Sequence, residues 1–467
     1  MKKLTIAIIL LLTQNIYADP KSDVESLMRA HRFKAKNLGI LISQNGKTIY
    51  DLNAKELMIP ASLTKILTAG AMLSDIPLNK KFVTELWSSG VKNKDSLKGH
   101  LCLKGGGDPS FVSEKMWYLV NEFTRNEINK IDGDIIVDDS RFDPEIFDAG
   151  REGGRVDRAY DAPISAVSFN WNSVNVFVRP GEKVDDPAKV FIDPKNDYIE
   201  VQNLAVTTKI GGAKNIEVKR VKVGDHDKII VAGKIALDST ELVSYKSITN
   251  PSLWVGSHLK EFLKDRNIMV SGKIRSGKCE EGSKRLAFVE SKNMNEMLSD
   301  MLKFSNNFVA EMLIKNLAAE NNPETPAKMK DGVESVKKYL DSLNIKRDSY
   351  VLENVSGLTR ENKLSATQIT TVLESIRNNF QVFPEFLAGL PIAGVDGTMK
   401  SRLKDNQSFS VRAKTGYLDG IVGLAGFVGR KGKQPMTFVF MFNGGYEEAL
   451  ASRKFFDAII ESTNKWD

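Results

Sequence analysis

Cysteine and histidine are almost missing from this 467-residue chain. Cys102 and Cys279 are the only two cysteines, which excludes a disulfide-dense scaffold and a cysteine-rich metal site. Export would permit a bond between them, but residues so far apart cannot be paired from sequence. The four histidines, His31, His100, His226 and His258, lack metal-ligand spacing and read as surface or packing residues. No metal and no cofactor are expected. Past the N-terminus no apolar run is long enough to span a bilayer, so no integral membrane anchor is expected. Neither sign of charge dominates: the net charge is +7, or +5 without Lys2 and Lys3. So mild a balance predicts an ordinary solvated surface and no nucleic-acid partner.

What the chain does have begins with a charged start at Lys2 and Lys3, an apolar run from Leu4 to Leu12, and Ile16-Tyr17-Ala18. Together these predict a signal peptide over 1–18 and an exported protein. With no lipobox cysteine or wall anchor, a periplasmic location is expected. The length implies two or three domains.

Leu38 to Leu52 reads as a hairpin around Asn45-Gly46, a type I′ turn signal. A helix follows Pro60, with Leu63, Ile66, Leu67 and Met72 on its apolar side. Gly105 to Pro109 reads as a turn rather than a phosphate-binding loop, since no lysine or helix start follows it. Residues 114–129 suit a helix, and 133–137 and 268–274 suit strands. From about 165 to 248 short β-branched runs predict a β-rich unit. Helical patterns return after 286, including 295–302 and 365–380. The chain then closes with three strands (411–417, 421–428 and 436–442) and a helix over 447–462.

Ser62-Leu63-Thr64-Lys65 places a hydroxyl and an amine one helical turn apart, at an N-terminus that favours developing negative charge. That is a nucleophile with a candidate base. Alone it proves little, because Ser89/Lys92, Ser257/Lys260, Ser335/Lys338 and Ser401/Lys404 have the same spacing. Two later signals single it out. Ser305-x-Asn307 falls on a loop between helices, and Lys414-Thr415-Gly416 falls on a strand. Burial of Lys65 next to a second lysine, Lys414, would lower its pKa enough for it to accept a proton. Ser305 can relay a proton to a leaving amine, and Asn307 can bond substrate and Lys65. Lys414 and Thr415 suit a terminal carboxylate, and Gly416 would let substrate lie along the strand edge.

In this order the three motifs resemble the signature of the penicillin-binding proteins and serine β-lactamases. The long gap from Ser62 to Ser305 resembles the class C low-molecular-mass penicillin-binding proteins, D-Ala-D-Ala carboxypeptidase/endopeptidases with inserted domains. Gly105–Pro109, Asp138–Phe142, Ala162–Ala166, Ser356–Arg360 and Pro391–Thr398 look like that family too. The resemblance implies an α+β fold: an antiparallel sheet flanked by helices, with a large β-rich insertion. The implied division is a catalytic domain of 19–80 and 286–467, an inserted domain of 81–164 and 249–285, and a nested β-rich domain of 165–248.

The implied activity is a serine DD-peptidase acting on peptidoglycan stem peptides through a Ser62 acyl-enzyme. Lys65, Ser305 and Asn307 would assist Ser62, and Lys414, Thr415, Gly416 and Tyr417 would bind substrate. The backbone N–H groups of Ser62 and Tyr417 would form an oxyanion hole. β-Lactam antibiotics would be covalent inhibitors. A serine β-lactamase is the alternative enzyme, disfavoured by the insertion and by the lack of an evident omega-loop glutamate. A non-catalytic wall-binding protein on the same scaffold is disfavoured by the intact motifs. Many relatives carry an acidic residue for a side-chain ammonium eight positions before the proline matching Pro163. Here that position is Arg155, with Asp157 and Asp161 nearby. A weaker dependence on a free side-chain amine is therefore expected.

Overall fold

A central sheet joins the two ends of the chain. The structure, a computed structural model, describes residues 19–148, 157–404 and 409–466; the expected signal peptide and Arg155 lie outside them. The hairpin forms as Leu38–Gln44 and Lys47–Leu52, with Asn45 and Gly46 both at positive φ, as a type I′ turn requires. Its first strand pairs antiparallel with Met436–Asn443, so that Ile40 faces Phe440. The sheet order is Phe409–Leu418, Ile421–Arg430, Met436–Asn443, Leu38–Gln44 and Lys47–Leu52.

Both faces of this sheet are covered. Ile40, Ile42, Phe438 and Phe440 pack with Phe455 and Ile459 of the closing helix Tyr446–Ser462. On the other face Leu41, Val439 and Met441 share a core with Ile66 and Leu313. Alternate residues of one strand thus serve two helical layers, which is why these strands read as continuous apolar runs.

Between the ends lies a second five-stranded sheet, ordered Ile274–Ser276, Ile135–Asp138, Leu101–Lys104, Val83–Ser88 and Lys284–Glu290. Cys102 and Cys279 are joined in a disulfide there. Beyond it stand two three-stranded sheets, one around Ser173–Arg179 and one around His226–Ala236. A single apolar core runs through all three, from Leu86 and Leu103 to Val176 and Ile229.

Some elements differ from expectation. The strand expected over 268–274 is broken into Met269–Val270 and Ile274–Ser276. At Gly272 between them, a Cβ would meet the Gly133 carbonyl oxygen at 2.4 Å, so the backbones touch where a regular strand would need room. Strands Val83–Ser88 and Lys284–Glu290 were not legible, because Glu85, Lys284 and Arg285 interrupt their apolar pattern. Among the described residues no helix is long and apolar enough to cross a membrane.

Candidate active site

The turn that carries Ser62 is held from several sides. Ala61 adopts φ 47°, a region costly for a residue with a side chain. Ala61–Leu63 form a 3₁₀ turn leading into the helix Thr64–Asp75, so Ser62 lies just before the α-helix rather than inside its first turn. At Gly357 (φ 78°) a Cβ would stand 2.0 Å from the Ala61 carbonyl oxygen. At Gly416 it would stand 2.9 Å from that of Pro60. Gly416 therefore makes room for the nucleophile turn, a constraint distinct from the strand-edge role expected of it.

Lys65 is fully buried one turn beyond Ser62. Its Nζ donates to Ser62 Oγ at 3.1 Å, to Asn307 Oδ1 at 2.7 Å and to the Ser356 carbonyl oxygen. Burial lowers its pKa to about 7, with the Glu311 carboxylate opposing the shift. An amine so poised is partly neutral near physiological pH and can accept a proton.

Ser305 has φ 55° in the bend between helices Met294–Lys303 and Asn307–Asn321. The side chain of Asn306 caps the second helix through Val309 N–H. Asn307 Nδ2 donates to the Tyr160 carbonyl oxygen at 3.3 Å. Lys414, fully buried on the strand Phe409–Leu418, donates to Ser305 Oγ at 2.8 Å and to the Thr415 carbonyl oxygen at 2.6 Å. Burial lowers the Lys414 pKa well below its ordinary value, and the Lys65 charge lowers it further. For both lysines burial is the larger cause, and repulsion by the other lysine enters at Lys414.

Ser62, Ser305, Asn307 and Tyr417 line one cleft of about 360 Å³, with Lys65 and Lys414 behind it. Thr415 Oγ1 donates to Thr398 Oγ1 at 2.8 Å, and the Tyr417 ring lies 4.7 Å under the Arg453 guanidinium. Of the eight residues singled out from the sequence, Ser62, Ser305, Asn307 and Tyr417 line the cleft, Lys65 and Lys414 hydrogen-bond to the two serines, and Thr415 and Gly416 follow Lys414 on the same strand. Arg158, Asp161, Arg360 and Asp419 also line it. Asp161 is buried, whereas Asp157 is paired with Lys246 at 2.7 Å.

Sequence reasoning missed Glu311 and the role of Ser356. Glu311 is fully buried and accepts a hydrogen bond from Ser356 Oγ at 3.0 Å, while the same serine's carbonyl receives Lys65. The available signal was a carboxylate one turn after Asn307, set between apolar Phe308–Ala310 and Met312–Ile314. Two stretches noted for their resemblance lie away from the cleft. Asn316 of the same helix donates to the Gly107 carbonyl oxygen at 2.7 Å and accepts from Arg141 Nε at 3.1 Å. They join the inserted region to the back of that helix.

Comparison with known proteins places the chain among relatives over most of its length. The chain is 27% identical over 442 residues to a D-alanyl-D-alanine carboxypeptidase of Actinomadura sp. (strain R39), covering 91% of this chain and 81% of that protein. It is 28% identical over 422 residues to the D-alanyl-D-alanine carboxypeptidase DacB of Haemophilus influenzae, covering 88% and 85%. The crystal structure of penicillin binding protein 4 from Haemophilus influenzae superposes with a TM-score of 0.79 at 24% identity, over 94% of this chain and 97% of that one. The sequence model of one family matches residues 21–465, and the chain belongs to it: the D-Ala-D-Ala carboxypeptidase 3 (S13) family.

Proposed function

We propose that the protein is a serine-type D-Ala-D-Ala carboxypeptidase of peptidoglycan working through an acyl-enzyme on Ser62. The observation that carries this reading is the pair of buried amines, Lys65 on Ser62 Oγ and Lys414 on Ser305 Oγ. Neutral Lys65 takes the Ser62 proton as Oγ attacks the carbonyl carbon of the penultimate D-alanine. The oxyanion is met by the backbone N–H groups of Ser62 and Tyr417, each such donor worth roughly 3 kcal/mol. Ser305, held by Lys414, relays to the leaving amine the proton that Lys65 took up, so D-alanine departs and Lys65 is neutral again. Water then attacks the ester with Lys65 again as base, and Ser62 is regenerated. Thr415 and Lys414 receive the terminal carboxylate. Cleavage of D-Ala cross-links needs only a different leaving amine, so endopeptidase activity belongs to the same proposal.

A penicillin presents an analogous amide carbonyl in a strained ring and should acylate Ser62. The deciding experiment is labelling with a fluorescent penicillin followed by mass spectrometry of the adduct. One penicilloyl group on Ser62, slowly released, supports the reading. An adduct on Ser89, Ser257, Ser335 or Ser401 overturns it, and rapid turnover of the drug favours the β-lactamase alternative.

The division into a catalytic unit (19–80 with 286–467) and inserted units (81–164 with 249–285, and 165–248) is part of the proposal. It is supported by the central sheet, whose strands come only from residues 38–52 and 409–443. The strand Lys284–Glu290 crosses the second boundary. Export to the periplasm is proposed on the N-terminal sequence alone.

A further inference from the structure

Beside the cleft lies a second hollow of about 260 Å³, which shares Tyr160, Ser305 and Asn307 with it. Three aromatic side chains open into it while remaining well exposed: Tyr160 at 41%, Trp171 at 44% and Phe304 at 67%. Exposed aromatics gathered in one place mark a binding surface more often than scattered ones do.

Trp171 is displayed by a strained turn. It has φ 54° between Asn170 at 47° and Asn172 at 49°, three consecutive left-handed residues, none of them glycine. The surroundings hold the turn in place. Asn172 is buried and donates to the Pro163 carbonyl oxygen and to Ser168 Oγ, both at 2.9 Å. Asn170 exchanges two hydrogen bonds with Ser113, at 2.9 and 3.0 Å. Backbone strain maintained this way, ending in an exposed tryptophan beside a reactive serine, is characteristic of a functional site.

The chemistry of the lining narrows the ligand. The cleft carries Arg158, Asp161, Arg360 and Asp419, whereas none of the described residues lining the hollow is charged. Aromatic faces with the amide of Asn306 and the hydroxyl of Ser173 suit a neutral ring that has an apolar C–H face and polar edges. A stem peptide, with its carboxylates and amines, suits the charged cleft instead.

We infer that the Tyr160–Trp171–Phe304 hollow is a sugar-binding subsite, which seats an N-acetylated ring of the glycan strand while the attached stem peptide reaches Ser62. This rests on the peptidoglycan reading above, and the test separates the two.

Wild-type, Trp171→Ala, Trp171→Phe and Phe304→Ala full-length proteins would be assayed for D-alanine release. The substrates are a soluble stem pentapeptide and the same peptide carrying its disaccharide. Trp171→Ala and Phe304→Ala should raise KM about five- to tenfold for the disaccharide peptide and leave the bare peptide unchanged, with Trp171→Phe close to wild type. Penicillin acylation of Ser62 should be the same in all four, which checks the fold and the proposed nucleophile independently. Direct binding of a peptide-free disaccharide oligomer, measured by calorimetry, should weaken in Trp171→Ala, and this arm does not depend on catalysis. Equal loss on both substrates would make the hollow a peptide contact. That result, unchanged kinetics in the alanine variants, or unchanged oligomer binding would overturn the proposal.

Discussion

The helix Thr64–Asp75 and the sheet around His226–Ala236 bury their residues in opposite ways. Every residue from Thr64 to Leu73 is buried, Thr64, Lys65 and Thr68 among them. In the strand Ile199–Thr208 the run from Glu200 to Leu204 is exposed, and Leu204 is 57% exposed. The difference reflects what each region has to hold. An amine with a pKa near 7 must be kept from water on all sides, since hydration would restore its ordinary basicity. The sheet around His226–Ala236 holds no such group: Glu200 to Leu204 point alternately to its two faces and are left to solvent on both, and this strand is dry only at Ile199, Ala205 and Thr207.

The largest break in that comparison is chemical. Ser62→Ala should reduce D-alanine release about 10⁴-fold or more and abolish penicillin labelling, with an unchanged circular dichroism spectrum. Ser62 is only partly buried and fills little of the core.

Stability should separate the two regions next. Leu67 is 1% exposed, and Leu67→Ala should cost about 2–5 kcal/mol in denaturant unfolding. Leu204→Thr on the inserted sheet should change stability by less than about 0.5 kcal/mol. Equal costs at the two sites would mean that the inserted sheet is covered in solution.

The pH dependence sharpens the electrostatic side. Because Lys65 must be neutral to accept a proton and its pKa is about 7, kcat/KM should rise with pH through that value. The Glu311 charge favours protonated Lys65, so Glu311→Gln should lower the Lys65 pKa and move the rise to lower pH. A shift of about one unit corresponds to roughly tenfold in the rate below the midpoint. A profile that drops in height without moving would assign Glu311 a purely structural role.

The smallest effect concerns the side-chain amine of the substrate. Of the two aspartates named from the sequence, Asp157 is paired to Lys246 and Asp161 lines the cleft, as Asp419 also does. Preference for a free over an acetylated amine should be about fivefold or less. It should disappear in Asp161→Asn and survive in Asp157→Asn. A large preference removed by Asp157→Asn would show that the loop rearranges around substrate.

The local elements were legible because their signals are short-range. Asn45-Gly46 specifies a turn by backbone conformation alone, and Ser365, which opens the helical pattern of 365–380, caps it by receiving the Gln368 N–H. The hidden elements were those stabilised from a distance. Lys284–Glu290 is a strand because Val83–Ser88 lies beside it, with little apolar periodicity of its own. Glu311 was hidden for the same reason: a glutamate on a helix reads as a solvated residue until the helix is known to be buried on that face.

What the sequence determined by itself was the order of motifs that points to the family, and with it the proposed chemical set, Ser62, Lys65, Ser305, Asn307 and Lys414. Side-chain type and spacing carry that information without any fold. Only the tertiary structure decided how the set is tuned. It buried both lysines, set Glu311 against the shift in Lys65, joined Cys102 to Cys279 across a separation of 177 residues, and placed Trp171 beside the cleft. Each of these depends on how much water reaches a group and on which distant segment lies against it, and neither is encoded within a few residues of the group itself.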